Sequence, residues 1–248
     1  MEVRLLGSGG FVPTDRRETA CALIRNGSEA LCIDAGTGAR RLLTEPELLD
    51  GVERLHVVLT HFHLDHTLGL FFLPALEPAI EIWAAGQSLE QTANTKLVDR
   101  LLTPPFAPRS FISGFAAVHE LGVGATRVGP FDLTTRVQRL HSNPTLALRF
   151  SDELVWCTDT AHDEENADFA RGARLLCHEA FWPADRTDDT GHTASGEAAS
   201  IAAAAGVERL VLIHVNPERD DEDALLAYAR PAFDATEVAR DGLVVRSS

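Results

Sequence analysis

Residues 60–66 read THFHLDH, three histidines and an aspartate within seven positions. Imidazole nitrogens and carboxylate oxygens are the donors that bind zinc and related divalent cations. The stretch ends the apolar run RLHVVLT, which reads as a buried strand. Residues two apart on an extended segment share a face, so His61 and His63 can grip one ion. Asp65 and His66 follow where the chain leaves the strand for a helix, and can hold a neighbouring ion. Loops at such junctions are where ligands are displayed. Four donors in six residues argue against a merely polar turn.

A dinuclear site needs more ligands, and they should also lie at strand ends. His141 closes TTRVQRL, Asp159 closes ELVWCT and His214 closes RLVLI. One histidine at a strand end is usually structural, but three such ends beside the cluster point to a shared site. His56 sits inside an apolar strand and reads as a buried structural residue, while His119 and His162 have no motif partner.

The elements that must position these groups follow from period and punctuation. A first strand at residues 3–6 meets the Gly-rich GSGG. TACALIR and EALCIDAG form a hairpin around an Asn26-Gly27 turn. GARRLL reads as a short helix, DHTLGLFFLPAL as a helix stopped near Pro74, IEIWA as a strand, and residues 87–102 as a helix. Residues 103–114 form a Pro-rich loop carrying Phe106, Arg109 and Phe111. Further strands are AAVHEL, TRVG, DLTTRVQRLH, LALRF, ELVWCTDT, ARLLCHEA, RLVLIH and a terminal LVV. Helices are expected at 163–171, at the Ala-rich 194–205 with Gly206 as C-cap, and at 220–229. Two facing sheets with helices outside, a four-layer αββα sandwich of the α/β (α+β) class, bury this pattern. No repeat or linker interrupts it, so residues 1–248 read as a single domain.

On H-x-H-x-D-H with a distant His, Asp and His, the chain resembles the metallo-β-lactamase-fold hydrolases. The resemblance assigns His61, His63 and His141 to a first zinc, and Asp65, His66 and His214 to a second, with Asp159 bridging. Zn–N contacts of about 2.0–2.1 Å are then expected. His63, rather than Glu, disfavours the di-iron flavoprotein oxidase branch. Asp159, rather than Cys, disfavours the true zinc β-lactamases of the B1 type. LLCHEAFW and the GHT that precedes the Ala-rich helix resemble the ribonuclease Z subgroup. So do LLGSGGFVPTDRRETA, IDAGTGARRLL and ARDGLVV. By that resemblance His192 protonates the leaving oxygen, Glu179 orients it and raises its pKa, and Asp65 acts as general base. The competing reading makes Glu179 a strand end and His192 a helix cap. His178 reads as a packing residue on the other face.

Composition narrows the substrate. Lys+Arg is 22 against Asp+Glu 37, a net charge of −15. A polyanion gripped without a basic stripe binds weakly. Ribonuclease Z enzymes that process tRNA carry a basic Gly/Pro-rich arm, and residues 101–115 are too short and too neutral for it. tRNA is therefore an unfavoured partner, and a small or cyclic phosphodiester, or an RNA 3′ end, fits better. Phe106 and Phe111 are candidates for an apolar lid over a base or aryl group, or simply pack their loop. The cofactor expectation is two Zn²⁺ per chain, with Mn²⁺ or another divalent metal as the alternative. The competing enzyme reading is a thioester, lactone or sulfate-ester hydrolase of the same fold, and a third is a metal-binding cofactor-pathway protein. The subgroup commonly pairs its chains, so a homodimer is compatible, although the sequence gives no independent sign of it.

Cys21, Cys32, Cys157 and Cys177 lie singly in apolar runs and read as buried free thiols, which suits a reducing cytoplasm. MEVRLLGSGG lacks the apolar core of a signal peptide, and no 18-residue apolar run suggests a membrane span.

Overall fold

The computed structural model describes residues 1–107, 109–184 and 191–247. The first half supplies β1 (Glu2–Gly7), β2 (Cys21–Asn26), β3 (Glu29–Ile33), β4 (Arg54–Val58), β5 (Ala79–Ala84) and β6 (Ala117–Glu120). The second supplies β7 (Gly124–Val128), β8 (Phe131–Gln138), β9 (Thr145–Phe150), β10 (Leu154–Cys157), β11 (Leu175–Glu179), β12 (Arg209–Ile213), β13 (Thr236–Val238) and β14 (Val244–Arg246). One sheet runs β14-β1-β2-β3-β4-β5-β6 and the other β13-β12-β11-β10-β9-β8-β7. Both change from antiparallel to parallel pairing part-way: β3 onward in the first, β10 onward in the second.

Alternation along the strands builds the layers. Leu31 and Ile33 of β3 join Leu148, Trp156, Cys177 and Val211 in a core between the sheets. Ala30 and Cys32, one residue out of phase, face the helical side with Leu42, Leu70 and Val98. The outer face of the second sheet packs Val155, Leu176 and Leu210 under Ala170, Ala198, Ala202 and Leu225. The αββα expectation therefore holds, and the Asn26-Gly27 hairpin forms with Gly27 at φ 62°. The four cysteines are buried free thiols. No described helix is long and apolar enough to cross a membrane.

The helices differ in detail. GARRLL begins with a 3₁₀ turn before α1 (Arg41–Thr44). After His63 the chain makes α2 (Leu64–Thr67), then two 3₁₀ turns, rather than one helix. Gly69 is drawn onto the 35–36 backbone, its N–H donating to Ala35 O at 2.7 Å. A Cβ there would meet Gly36 O at 2.3 Å. The expected helix 87–102 is α3 (Gly86–Glu90) and α4 (Asn94–Leu101), broken at Gln91 with φ 51°. The break lets the buried Asn94 amide accept from Gly86 N at 2.7 Å and donate to His119 O at 2.7 Å. The remaining helices, α5 (Glu165–Ala170), α6 (Ser195–Ala205) and α7 (Glu222–Ala229), lie within the expected stretches. Gly206 is the left-handed cap of α6, at φ 66°. β13 was not anticipated, because a three-residue Thr-Glu-Val strand carries too little pattern.

Candidate metal centre

Strand ends deliver the donors, as is usual where parallel strands terminate. His61 follows β4, Asp159 follows β10, Glu179 ends β11 and His214 follows β12. Donor atoms of His61, His63, His141 and Asp159 lie within 4.8 Å of one another, as do those of Asp65, His66, Asp159 and His214. All seven sequence-derived candidates thus converge, and Asp159 belongs to both groups. Its Oδ1 lies 3.7 Å from His141 Nε2 and 3.3 Å from His214 Nε2, while Oδ2 lies 3.1 Å from His66 Nε2. Asp159 and His214 hold positive φ of 50° and 54°. Such strain in non-glycine residues gathers where a site dictates the backbone.

The outward nitrogens are fixed. His66 Nδ1 donates to Asp34 Oδ2 at 2.8 Å, and His141 Nδ1 donates to Gly191 O at 2.8 Å. His63 Nε2 donates to Asn143 Oδ1 at 3.3 Å, and Asn143 Nδ2 donates on to Glu90 Oε1 at 3.2 Å. These bonds leave His66 Nε2, His141 Nε2 and His63 Nδ1 with lone pairs directed inward.

Beside the cluster, His192 Nδ1 donates to Glu179 Oε2 at 2.9 Å, and Glu179 Oε1 also accepts from Thr160 N. His192 does not cap α6; its ring stacks on Phe181 with centroids 4.3 Å apart. Burial by itself would lower the His192 pKa, but the charge and hydrogen bond of Glu179, with the charges of Asp159 and Asp65, outweigh it and the imidazole is pushed up to about 9. These groups border a cavity of about 800 Å³, the size of a small-molecule site. Phe11, Val12, Pro13, Leu64, Leu68, Phe181 and Trp182 supply its apolar lining. Neither Phe106 nor Phe111 lines it. Phe111 packs against Phe71 with centroids 5.3 Å apart, and Phe106 is 82% exposed. Of the two readings left open for Phe106 and Phe111, lid or loop packing, Phe111 shows packing in the described part of residues 103–114; Pro108 lies outside the described residues.

A family profile described as the beta-lactamase superfamily domain matches residues 30–215. The chain belongs to that superfamily. A protein named Ribonuclease Z from Halobacterium salinarum is 26% identical over an alignment covering 98% of this chain and 96% of that one. The metallo-beta-lactamase fold protein YhfI from Bacillus subtilis superposes with a TM-score of 0.79 at 23% identity, covering 99% of both chains. The short form of human tRNase Z superposes with a TM-score of 0.71 at 18% identity, covering 100% of both. The fold is thus that of the metallo-β-lactamases, and the chain is a ribonuclease Z-like, metal-dependent hydrolase.

The donor set suits a divalent cation, as the superfamily fold implies. Two inward lone pairs, on His63 Nδ1 and His141 Nε2, face each other at 3.3 Å. His66 Nε2 and His214 Nε2 do the same at 3.3 Å. Among the described residues the buried His61 Nε2 has no hydrogen-bond partner. Burial opposes charge on His66, yet Asp159, Asp34 and Asp65 raise its pKa well above the usual value. The cluster thus demands positive charge at its centre. Burial keeps His61 and His141 below the usual imidazole value, the neutral state a ligand needs.

Two contributors escaped the sequence reading. Asp34 follows β3 at φ 60° and accepts from Thr60 N at 2.7 Å as well as from His66. Its signal was available: an acid closing an apolar strand, the pattern that marked Asp159. Asn143 had no such signal, because its link to His63 spans 80 residues.

Proposed function

We propose that this chain is a dinuclear, divalent-metal phosphodiesterase, with zinc as the first-choice ion, acting on a small or cyclic phosphodiester or an RNA 3′ end. The observation that carries the reading is the pairing of two donor groups sharing Asp159 with an imidazole–carboxylate couple beside them. In this reading His61, His63 and His141 hold one ion, Asp65, His66 and His214 the other, and Asp159 both. The bound ions supply Lewis-acid activation of water and neutralise phosphate charge. Asp65 accepts the proton of the attacking water. Burial alone would raise its pKa, but His66 and His214 hold it well below the carboxylate range. His192 presents Nε2, the nitrogen turned away from Glu179, and gives its proton to the departing alkoxide.

The choice of a small substrate rests on what the chain lacks. Its alignment with the halobacterial Ribonuclease Z runs over 302 positions against 248 residues here, so that relative carries segments absent from this chain. The net charge of −15 agrees. The two sheets share one core, which supports reading residues 1–248 as one domain. Thioester hydrolysis explains the Glu179–His192 couple less well, because a thiolate leaves without needing an acid.

The test is hydrolysis of bis(p-nitrophenyl) phosphate by protein of measured metal content, with Asp65→Ala beside it. Turnover at about two metals per chain, lost in the variant, is expected. Two bound metals without turnover would move the assignment to the ester hydrolases or a cofactor-pathway role.

A further inference from the structure

The cavity is lined by the metal cluster and His192 and also by apolar side chains, Phe181 against His192 and Phe11 with Val12 and Leu64 among them. Phe11 is 68% exposed at this mouth and holds φ 64°. A bulky residue occupies that region at a cost glycine would avoid. The backbone explains why the conformation is held. Phe11 N donates to Asp65 Oδ2 at 2.8 Å, and Gly10 N donates to Val215 O at 3.1 Å. Gly10 lies so close to His214 that a Cβ would meet its ring at 2.3 Å. Downstream, the buried Arg17 ties the loop to Asp220 and Glu222, each at 2.9 Å. None of these contacts uses the phenyl ring, and glycine would make the same N–H bond without strain. The ring is thus displayed on a rigid loop beside Asp65, where a flat apolar group can stack on it.

We propose that Phe11 is a specificity-determining residue that stacks a planar aromatic substituent of the substrate, of the nucleobase or aryl class. The inference rests on the phosphodiesterase reading above. The loop Phe11–Pro13 then takes the part the sequence had suggested for Phe106 and Phe111.

Two esters with the same leaving group separate stacking from chemistry: thymidine 5′-(p-nitrophenyl phosphate) and methyl p-nitrophenyl phosphate. The full-length, metal-loaded protein should prefer the thymidine ester in kcat/KM. Phe11→Ala should reduce that ester about ten-fold and the methyl ester far less, so that the selectivity ratio collapses, while Phe11→Trp should keep it. Calorimetric binding of thymidine 5′-monophosphate against methyl phosphate reads the same preference without turnover. Equal losses on both esters, or an unchanged ratio, would overturn the proposal. So would a sedimentation change from dimer to monomer in Phe11→Ala with both esters impaired, which would make the ring an interface residue. If the wild type cleaves neither ester, the phosphodiesterase reading fails. The platform is then decided by binding alone: a thymidine preference lost in Phe11→Ala upholds it, and equal binding refutes it.

Discussion

Asp34 Oδ2 lies 2.8 Å from His66 Nδ1, and neither side chain reaches solvent. The same carboxylate also accepts from Thr60 N and Thr60 Oγ1. Asp34 therefore fixes the tautomer and plane of His66 from behind. Asp34→Ala should weaken metal binding at the Asp65–His66–His214 group by about 10–100-fold. It also leaves buried donors unpaired, at about 1–3 kcal/mol each. Competitive zinc titration and urea denaturation read the two effects separately. Unchanged affinity in a folded variant would show that His66 needs no such support.

His63 depends on a longer relay. Its Nε2 reaches Asn143, whose amide is oriented by Glu90. Asn143→Leu removes the acceptor and should lower affinity for the His61–His63–His141 group about ten-fold or more. Glu90→Gln keeps a hydrogen-bonding partner for the amide and should cost less. Chelator competition on purified variants decides it; a larger effect from Glu90→Gln than from Asn143→Leu would contradict the order of the relay.

The ligand set was legible because His61, His63, Asp65 and His66 cluster after one apolar strand while His141, Asp159 and His214 follow three others, and strand ends at one edge of a sandwich are brought together by topology. The ring of partners behind the ligands was not. Asn143 meets His63 across 80 residues, and Phe11 meets Asp65 across 54. Such contacts depend on loop paths that period and composition do not set. The helices after His66 and Gln87 were too long in the sequence reading for a related reason. Gly69 and Asn94 bond to neighbouring backbone that the helical pattern cannot see, and those bonds break the helix. Tertiary contacts overrode local propensity there.

Leaving-group chemistry should expose His192. A nitrophenolate departs without a proton, whereas an alkoxide needs one. His192→Ala should therefore impair a phosphodiester with an alkoxide leaving group far more than its nitrophenyl counterpart. The pH profile has a defined sign. Burial opposes charge on His192, but the Glu179 carboxylate raises its pKa, so the acid form persists above the usual imidazole range and is lost as pH rises through the raised value. Cations at Asp65 and Asp159 cancel the contribution of those acids and leave Glu179 as the supporting charge. Glu179→Gln should then move the alkaline limb of kcat for the alkoxide substrate to lower pH. A limb that stays in place in this variant would remove His192 from the acid role.

Arg17 fastens the loop that bears Phe11. Its side chain is 4% exposed, and it pairs with Asp220 and Glu222, which are 10% and 13% exposed. It also donates to Ser8 Oγ at 2.8 Å. Removing Arg17 leaves Asp220 with Arg16 and Glu222 with Arg240, so the cost falls below the figure of about 3–5 kcal/mol for breaking an isolated buried pair. Arg17→Met should lower the urea midpoint accordingly. Arg17→Lys should recover little, since one ammonium cannot reproduce the forked bonds to two carboxylates and a hydroxyl. If the loop is held in this way, the surviving folded fraction should also lose part of its preference for the thymidine ester, with metal content unchanged. A stable Arg17→Met protein with full selectivity would show that the glycine contacts around Gly10 hold Phe11 without the ion pairs.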